Sequence, residues 1–249
     1  MKNLVLLFSV IVTLSSCNFY KPAMMNAPVL EEKGEINLGV STGNGTDVTA
    51  SYAITDYLAV SSRFTTNANL TYEVTTFDTT QKFTAKNYNY ELALGYFNAK
   101  NEGYNISFFG GYAMGETGTL DDNFLLFSED FAIGADFSSF FVQGAAFANL
   151  DKQNHVGLVV RVNAIEYSNF RYSDFFANED FTSSIDFSDK TQTVGQAGLQ
   201  YNYKGQKFGF MSQIQYAFTN SNDDYFTVRG FGIHVGAYFR LNEIFKKVD

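Results

Sequence analysis

The sequence predicts an all-β fold, a closed antiparallel up-and-down transmembrane β-barrel of about ten strands, within a range of about eight to twelve. Three observations lead to this prediction. Apolar and polar residues alternate with a period of two over most of the chain after residue 34, which is the pattern of strands with two different faces. The two prolines, Pro22 and Pro28, both precede that region, and a closed barrel has no strand edges where proline would be tolerated. The connections between predicted strands alternate between long and short, as barrel topology requires.

The first 16 residues have the pattern of a secretory signal peptide. Lys2 is positively charged, and residues 4–14 are apolar. This stretch is too short for a transmembrane helix, which needs about 20 residues, and it is typical of a signal that is removed after export. We therefore expect residues 1–16 to be the signal peptide, residues 17–33 to form a polar tether and residues 34–249 to form the barrel.

Leu14, Ser15, Ser16 and Cys17 resemble the bacterial lipobox, in which a branched residue and two small residues precede a cysteine that is lipidated. The resemblance implies cleavage before Cys17 and acyl chains such as palmitate on that residue, and we expect no other cofactor. Each buried CH₂ of such a chain contributes about 0.8 kcal/mol. We expect the lipid to fix the N-terminus to the inner leaflet, with the tether as a short leash at the periplasmic rim. Cys17 is the single cysteine, so no disulfide framework or cysteine metal site is available.

The alternation divides the barrel region into ten strands. Most are long enough to cross a bilayer at a tilt, which takes about 9–11 residues. One strand is ambiguous, because the adjacent Phe140 and Phe141 cannot both face lipid. The predicted strands are residues 35–41, 46–54, 57–66, 86–98, 104–115, 138–149, 155–167, 190–204, 206–219 and 227–241.

The last predicted strand has the clearest faces. The face expected to contact lipid is apolar and consists of Phe231, Ile233, Val235, Ala237, Phe239 and Leu241. The face expected to line the lumen is small or polar and consists of Gly230, Gly232, His234, Gly236, Tyr238 and Arg240. The spacing of His234, Gly236, Phe239 and Leu241 also resembles the C-terminal assembly signal of outer-membrane barrels. Together with the lipobox, this makes the chain resemble the small outer-membrane barrel lipoproteins of Gram-negative bacteria, which implies an outer-membrane location and surrounding lipid but no particular activity.

The predicted connections differ between the two ends of the barrel. With a periplasmic N-terminus, long connections should lie outside and short ones inside. Acidic residues concentrate in the long connections, and lysines lie at or beside the short ones. The predicted outer connections are residues 42–45, 67–85, 116–137, 168–189 and 220–226, and the predicted inner ones are residues 55–56, 99–103, 150–154 and Gly205.

Several charged and polar residues are predicted to face the lumen. Counted from the inner ends of neighbouring strands, Arg63 and Glu91 stand at the same level, which predicts a cross-strand ion pair. Side chains nearly fill an interior of this size, so we expect a closed polar network, with a narrow ion path or a small ligand pocket as the alternative. The predicted lumen polar network consists of Arg63, Glu91, Arg161, His234 and Arg240, with Gln196, Gln200, Gln213 and Gln215 in the same lumen.

Composition and spacing argue against several functions. The net charge of −9 argues against binding to nucleic acid. A catalytic histidine needs a nucleophile or an acid beside it. The two histidines, His155 at an inner strand end and His234 in mid-barrel, have no such neighbour in the predicted layout. Clustered metal ligands are also missing from the sequence. We therefore expect neither an enzyme nor a metal site.

The outer connections 116–137 and 168–189 combine acidic with aromatic residues. Aromatic faces and carboxylates together suit the recognition of a glycan or a protein. The alternative is that the aromatic residues form the girdle at the membrane boundary while the acids are solvated.

Three functions remain open at this point. The first is a non-enzymatic structural or partner-binding role in the cell envelope, including membership of an outer-membrane protein complex. The second is a narrow channel or small-solute transporter. The third is a soluble periplasmic β-sandwich lipoprotein that binds a ligand. A barrel would migrate differently on a gel before and after boiling, whereas a β-sandwich would not.

Overall fold

The computed structural model describes residues 22–67, 70–76, 79–98, 103–121, 131–174, 190–219, 228 and 230–242. No helix among these residues has both the length and the apolar character needed to cross a membrane. The described residues form β1 (Ile36–Thr42), β2 (Thr46–Ala53), β3 (Leu58–Thr66), β4 (Leu70–Thr76), β5 (Thr79–Ala85), β6 (Tyr88–Asn98), β7 (Tyr104–Asp121), β8 (Phe131–Asn149), β9 (Asn154–Asp174), β10 (Lys190–Lys204), β11 (Phe208–Thr219) and β12 (Phe231–Arg240).

Ten of these strands form one closed antiparallel barrel. Its order is β1, β2, β3, β6, β7, β8, β9, β10, β11 and β12, and β12 pairs back with β1. The closing contact runs from Asn37 opposite Arg240 to Thr42 opposite Val235. Every strand of the barrel therefore has a hydrogen-bonded neighbour on both sides, which is the condition for strands to cross a membrane. The predicted closed barrel of ten strands is confirmed, and the β-sandwich alternative is wrong.

Strands β4 and β5 form a separate two-stranded sheet. They pair from Leu70 opposite Ala85 to Thr76 opposite Thr79. The sequence pattern assigns residues 67–85 to an outer connection without strands, and this is wrong. The segment is rich in threonine and other residues with high β-propensity, so the long connection folds back on itself as a hairpin.

Outward and inward side chains alternate along the strands as predicted. On β2, Val48 is 50% exposed, whereas the adjacent Asp47 is 1% exposed. On β8, Phe140 is 71% exposed and Phe141 is 4% exposed, which resolves the ambiguous strand. Phe141 faces the lumen, where the guanidinium of Arg161 lies 4.0 Å from the centre of its ring.

The two ends of the barrel have different connections, as the sequence predicts. The end that we name the short-turn end has connections 54–57, 99–103, 150–153 and 205–207. The other end, which we name the loop end, has connections 43–45, 67–87, 122–130, 175–189 and 220–230. Most of the acidic and aromatic residues predicted as a recognition surface lie outside the described residues.

Strands β7, β8 and β9 extend further at the loop end than predicted. β7 continues to Asp121, β8 begins at Phe131 and β9 ends at Asp174. In the ladder Phe131 stands opposite both Asp121 and Asp174. The predicted strand ends are wrong here, because neighbouring backbones continue to satisfy one another's hydrogen bonds beyond the length that a membrane requires.

Residues 22–30, which we name the lumen segment, pass through the inside of the barrel. The chain then reverses direction at Gly34, whose φ of 84° is easily adopted by glycine, and enters β1 at Ile36. The prediction that residues 22–30 belong to a polar tether at the periplasmic rim is therefore wrong. No residue of this segment is charged, so its burial carries no cost for removing charge from water. Its buried apolar residues are Ala23, Met24, Met25, Ala27, Val29 and Leu30.

The turn at residues 150–153 predicts a pH dependence of stability. The carboxylate of Asp151 accepts hydrogen bonds from the backbone N–H of Gln153 (2.7 Å), the side-chain amide of Asn154 (2.9 Å) and the backbone N–H of Asn154 (2.8 Å). These bonds hold the pKa of Asp151 below its ordinary value of 3.8. The stabilisation is therefore present above that value and is lost as the pH falls through the lowered pKa of the folded state.

We expect Asp151→Asn to remove this pH-dependent part of the stability. The measurement is the urea midpoint of the detergent-folded wild type and the variant across the acidic range. If the two midpoints change with pH in parallel, the role assigned to Asp151 is wrong.

Candidate functional site

Three paired charges lie in the lumen, and we name them the central triad: Arg63 on β3, Glu91 on β6 and Arg161 on β9. Arg63 and Glu91 stand directly opposite each other in the ladder and form an ion pair, at the common level expected from the sequence. Arg161 reaches the same carboxylate with both terminal nitrogens, Nη1 at 2.7 Å from Oε1 and Nη2 at 3.2 Å from Oε2. Since β7 and β8 separate β6 from β9 in the wall, this contact crosses the lumen.

The central triad is buried and carries a net positive charge. One carboxylate faces two guanidinium groups, and all three side chains are at most 6% exposed. The Nε of Arg161 also donates a hydrogen bond to Oε1 of Gln143 at 3.0 Å. Burial costs several kcal/mol per ion, which is recovered only where the geometry is good and hydrogen bonds are made. The triad therefore braces the barrel from inside and is not open to solvent.

Side-chain amides of β11 bind the backbone of the lumen segment in its part nearer the loop end. Nε2 of Gln215 donates to the carbonyls of Pro22 and Ala23, at 3.3 and 3.2 Å. Gln213 makes two bonds to one residue, since its Oε1 accepts the N–H of Met25 at 3.0 Å and its Nε2 donates to the carbonyl of Met25 at 3.2 Å. The wall thus supplies partners for several backbone groups of a chain that has no strand beside it, the N–H of Met25 and the carbonyls of Pro22, Ala23 and Met25.

The same arrangement continues along the lumen segment. Nε2 of Gln143 donates to the carbonyl of Asn26 at 2.7 Å, and Nε2 of Gln200 donates to the carbonyl of Ala27 at 3.3 Å. The side-chain amide of Asn26 donates to Oγ of Ser61 on β3 at 3.0 Å. Opposite walls of the barrel therefore hold the same short stretch of chain.

A second group of charges, which we name the basal cluster, lies at the short-turn end: Glu31, Glu35, Lys204 and Arg240. Nζ of Lys204 lies 3.0 Å from Oε1 of Glu35 and 3.1 Å from Oε2 of Glu31, and it donates to the carbonyl of Val29 at 3.1 Å. Nε of Arg240 lies 3.2 Å from Oε1 of Glu35. Glu35 is fully buried, so its carboxylate needs both cations.

The predicted lumen polar network divides into separate parts. The structure brings the central triad together but places Arg240 in the basal cluster. His234 is buried on the lumen face of β12, opposite Gln213. His155, at the start of β9, contacts Asn149 through Nδ1 at 2.8 Å. Within the described parts of the chain, no three His, Cys, Asp or Glu residues are grouped as a metal site would require.

The predicted lipid site and assembly signal fall at the two ends of the chain. Cys17 lies outside the described residues, so its lipidation stays a prediction. Phe239 faces outward on β12, and Leu241 follows the end of that strand. Gly236 faces β1, where a Cβ atom would come within 2.5 Å of the Cβ of Ser41. A glycine at this position therefore permits the close approach of the two strands that close the barrel.

Sequence reasoning missed the lumen segment and most of its partners. The available signal was the uncharged stretch from Pro22 to Leu30, which is unlike a solvated tether. Lys204 shares a strand face with Gln200 and Asn202, so alternation alone assigns it to the lumen. Which backbone atoms these side chains bind could not be found from the sequence, because the partners are far apart in the chain.

The cavities that flank the lumen segment are small. One beside Ala23 and Glu116 and another beside Pro28 each measure about 20 Å³, and a third beside Arg161 measures about 10 Å³. A water molecule needs about 10–15 Å³ of such volume. Beside the lumen segment these cavities therefore hold about one water each and have no room for a larger solute.

Comparisons with known proteins add little to this geometry. No family model and no curated protein matches the chain. Two similar solved structures are a KdgM porin in complex with disordered oligogalacturonate, at 9% identity and a TM-score of 0.33, and a NanC porin, at 8% identity and a TM-score of 0.33. Each comparison covers 82% of this chain, with 98% of the first porin and 99% of the second. Outer-membrane porins are thus among the structural neighbours, but likeness at this level carries no information about activity.

The contact between Asn26 and Ser61 predicts a disulfide between the lumen segment and β3. In the double variant Asn26→Cys with Ser61→Cys, mild oxidation of the folded protein should join the two thiols, because the native side-chain atoms are 3.0 Å apart. The matched control is Asn26→Cys with Ser62→Cys, since successive strand residues point to opposite faces. Mass spectrometry of the linked peptides is the measurement. Equal cross-linking in both variants would contradict the path of the lumen segment.

The central triad predicts a large loss of stability on neutralising Glu91. In Glu91→Gln two buried guanidinium groups lose their counter-charge, and we expect the free energy of unfolding to fall by about 3–5 kcal/mol. The control is Glu166→Gln, since Glu166 is exposed on β9 and should change stability by less than about 0.5 kcal/mol. Urea unfolding in detergent micelles gives both values. Similar losses in the two variants would refute the importance of the triad.

Proposed function

We propose that this chain is an outer-membrane β-barrel lipoprotein whose lumen is closed by its own N-terminal segment. In this proposal the protein has no enzymatic activity and acts as a structural or partner-binding component of the cell envelope. The single observation that carries the proposal is the path of residues 22–30, which occupy the lumen and are bonded to its wall over their whole length.

The outer surface of the barrel supports a membrane location. Its outward side chains form an apolar belt, whereas soluble proteins rarely expose contiguous apolar patches beyond a few hundred Å². Tyr57 and Tyr96 stack at 6.1 Å near the short-turn end, and Phe64 and Tyr90 pack at 4.7 Å nearer the loop end, as aromatic girdles would. Members of the belt include Val40, Val48, Leu92, Leu94, Phe108, Val142, Leu158, Val160, Leu199 and Ile214.

The bonding of the lumen segment favours the closed state. Each hydrogen bond between wall and segment contributes about 0.5–1.5 kcal/mol net, and the wall makes such bonds to Pro22, Ala23, Met25, Ala27 and Val29. Met25 and Leu30 are also almost completely buried, and each such side chain adds about 1.5–3 kcal/mol. Opening the lumen would require the loss of all these contacts together.

The second candidate is a narrow channel or small-solute transporter with the lumen segment as its gate. The observation in its favour is the polarity of the wall, because water could replace every bond that the wall makes to the segment. A glycan or protein ligand at the outer connections, and an outer-membrane protein partner, are further proposals that rest on the composition of those connections.

Single-channel recording in planar bilayers tests closure of the lumen. We expect the wild type to be silent and a variant that lacks residues 18–30 to conduct small ions, because the deletion leaves a polar lumen without its occupant. A change in gel migration on boiling is the control that the variant forms a barrel. If the folded variant is as silent as the wild type, the lumen segment is not what closes the barrel.

The Asn26→Cys, Ser61→Cys variant separates the two candidates without a deletion. A permanently closed barrel is silent both oxidised and reduced. A gated channel is silent when oxidised and conducts when the disulfide is reduced, which would replace the closed-barrel proposal by the second candidate. Conductance in the oxidised form would refute both.

A further inference from the structure

We infer that the chain leaves the lumen at the loop end, so that the N-terminus of the mature protein lies on the outer side of the membrane. This inference rests on the proposed outer-membrane location and on the usual orientation of such barrels, in which the longer connections are extracellular and the short turns are periplasmic, so that the loop end lies outside. The sequence predicts the opposite side, with the lipid in the inner leaflet and the tether at the periplasmic rim.

The direction of the lumen segment follows from its partners. The carbonyl of Pro22 accepts a hydrogen bond at 3.1 Å from the side chain of Asn44, which lies in the connection between β1 and β2 at the loop end. Ala23 lies beside Asn87 and Glu116, which are also near the loop end. The chain thus begins its described path at the loop end of the lumen.

The other end of the segment lies at the opposite end of the barrel. The carbonyl of Val29 binds Lys204, the last residue of β10, and Glu35 binds Arg240, the last residue of β12. Both strands end at the short-turn end. Between Pro22 and Glu35 the chain therefore crosses the barrel once, from the loop end to the short-turn end.

The chain before Pro22 is too short to return. Cys17 stands five residues before Pro22, and five fully extended residues span at most about 18 Å. The apolar band of an outer-membrane barrel is about 25 Å tall. The cavities beside Ala23 and Pro28 each hold about one water, which leaves no room there for a second passage of the chain. An acyl group on Cys17 would therefore enter the outer leaflet and not the inner one.

Labelling of intact cells with a membrane-impermeant maleimide tests this topology. The reporter is Asn18→Cys in the full-length protein. The matched controls are Lys86→Cys at the loop end and Lys152→Cys at the short-turn end, since both lysines are exposed. We expect intact cells to label Asn18→Cys as strongly as Lys86→Cys, and to label Lys152→Cys only after permeabilisation. A short epitope inserted after Asn18 and detected by antibody on intact cells gives a second readout.

The controls separate failure of the inference from failure of the proposed function. If Lys86→Cys is labelled in intact cells but Asn18→Cys and the epitope need permeabilisation, the N-terminus is periplasmic and the inference is overturned. If Lys86→Cys itself needs permeabilisation, the proposed orientation in the outer membrane is overturned, and the inference with it. Mass spectrometry of the N-terminal peptide tests acylation of Cys17 separately.

Discussion

The structure depends on one constraint, that an extended peptide inside a closed barrel has no strand to pair with. The backbone of such a peptide depends on the side chains of the wall for partners, and the wall binds the carbonyls of Pro22, Ala23, Met25, Asn26, Ala27 and Val29. Glutamine suits this role because its amide both donates and accepts, as Gln213 does with Met25. The requirement explains why the lumen is lined with amides, and why the lumen segment carries two prolines, which have no N–H to satisfy.

Two groups of buried charges fix the geometry of the lumen. The basal cluster fixes the turn that follows the lumen segment, and the central triad connects strands of the wall. At the short-turn end, Glu35 is buried between Lys204 and Arg240 just before β1, so the reversal at Gly34 has a fixed position. The central triad connects β3, β6 and β9 across the lumen. Most of the attraction in buried ion pairs of this kind offsets desolvation, so their net contribution to stability is small, whereas removing one partner leaves the other charge buried and unpaired.

The sequence predicts the wall better than its contents, for a physical reason. Alternation is a local property, so it predicts the ten strands of the barrel, their two faces and the common level of Arg63 and Glu91, but not the separate hairpin of β4 and β5. The reach of Arg161 across the lumen depends on barrel closure and was not predictable from the spacing of residues. The sequence predicts a polar tether where the structure has the lumen segment, because the partners of this segment lie on strands far away in the chain. The extra length of β7 to β9 escaped prediction because pairing, not the membrane, determines where those strands end.

The direction of the lumen segment connects the predicted acylation of Cys17 to the choice between the two candidate functions. At the short-turn end the segment continues into β1, so it cannot withdraw there without unpairing the barrel. To open the lumen, the free N-terminal part would have to move out at the loop end or be drawn down through the barrel. An acyl group on Cys17 in the outer leaflet would prevent the movement down through the barrel. The basal cluster opposes the movement out at the loop end, because it binds the chain beside Val29. An acylated N-terminus therefore makes the occupant of the lumen permanent and favours the closed barrel, whereas an N-terminus without lipid leaves the segment removable, as a channel would need.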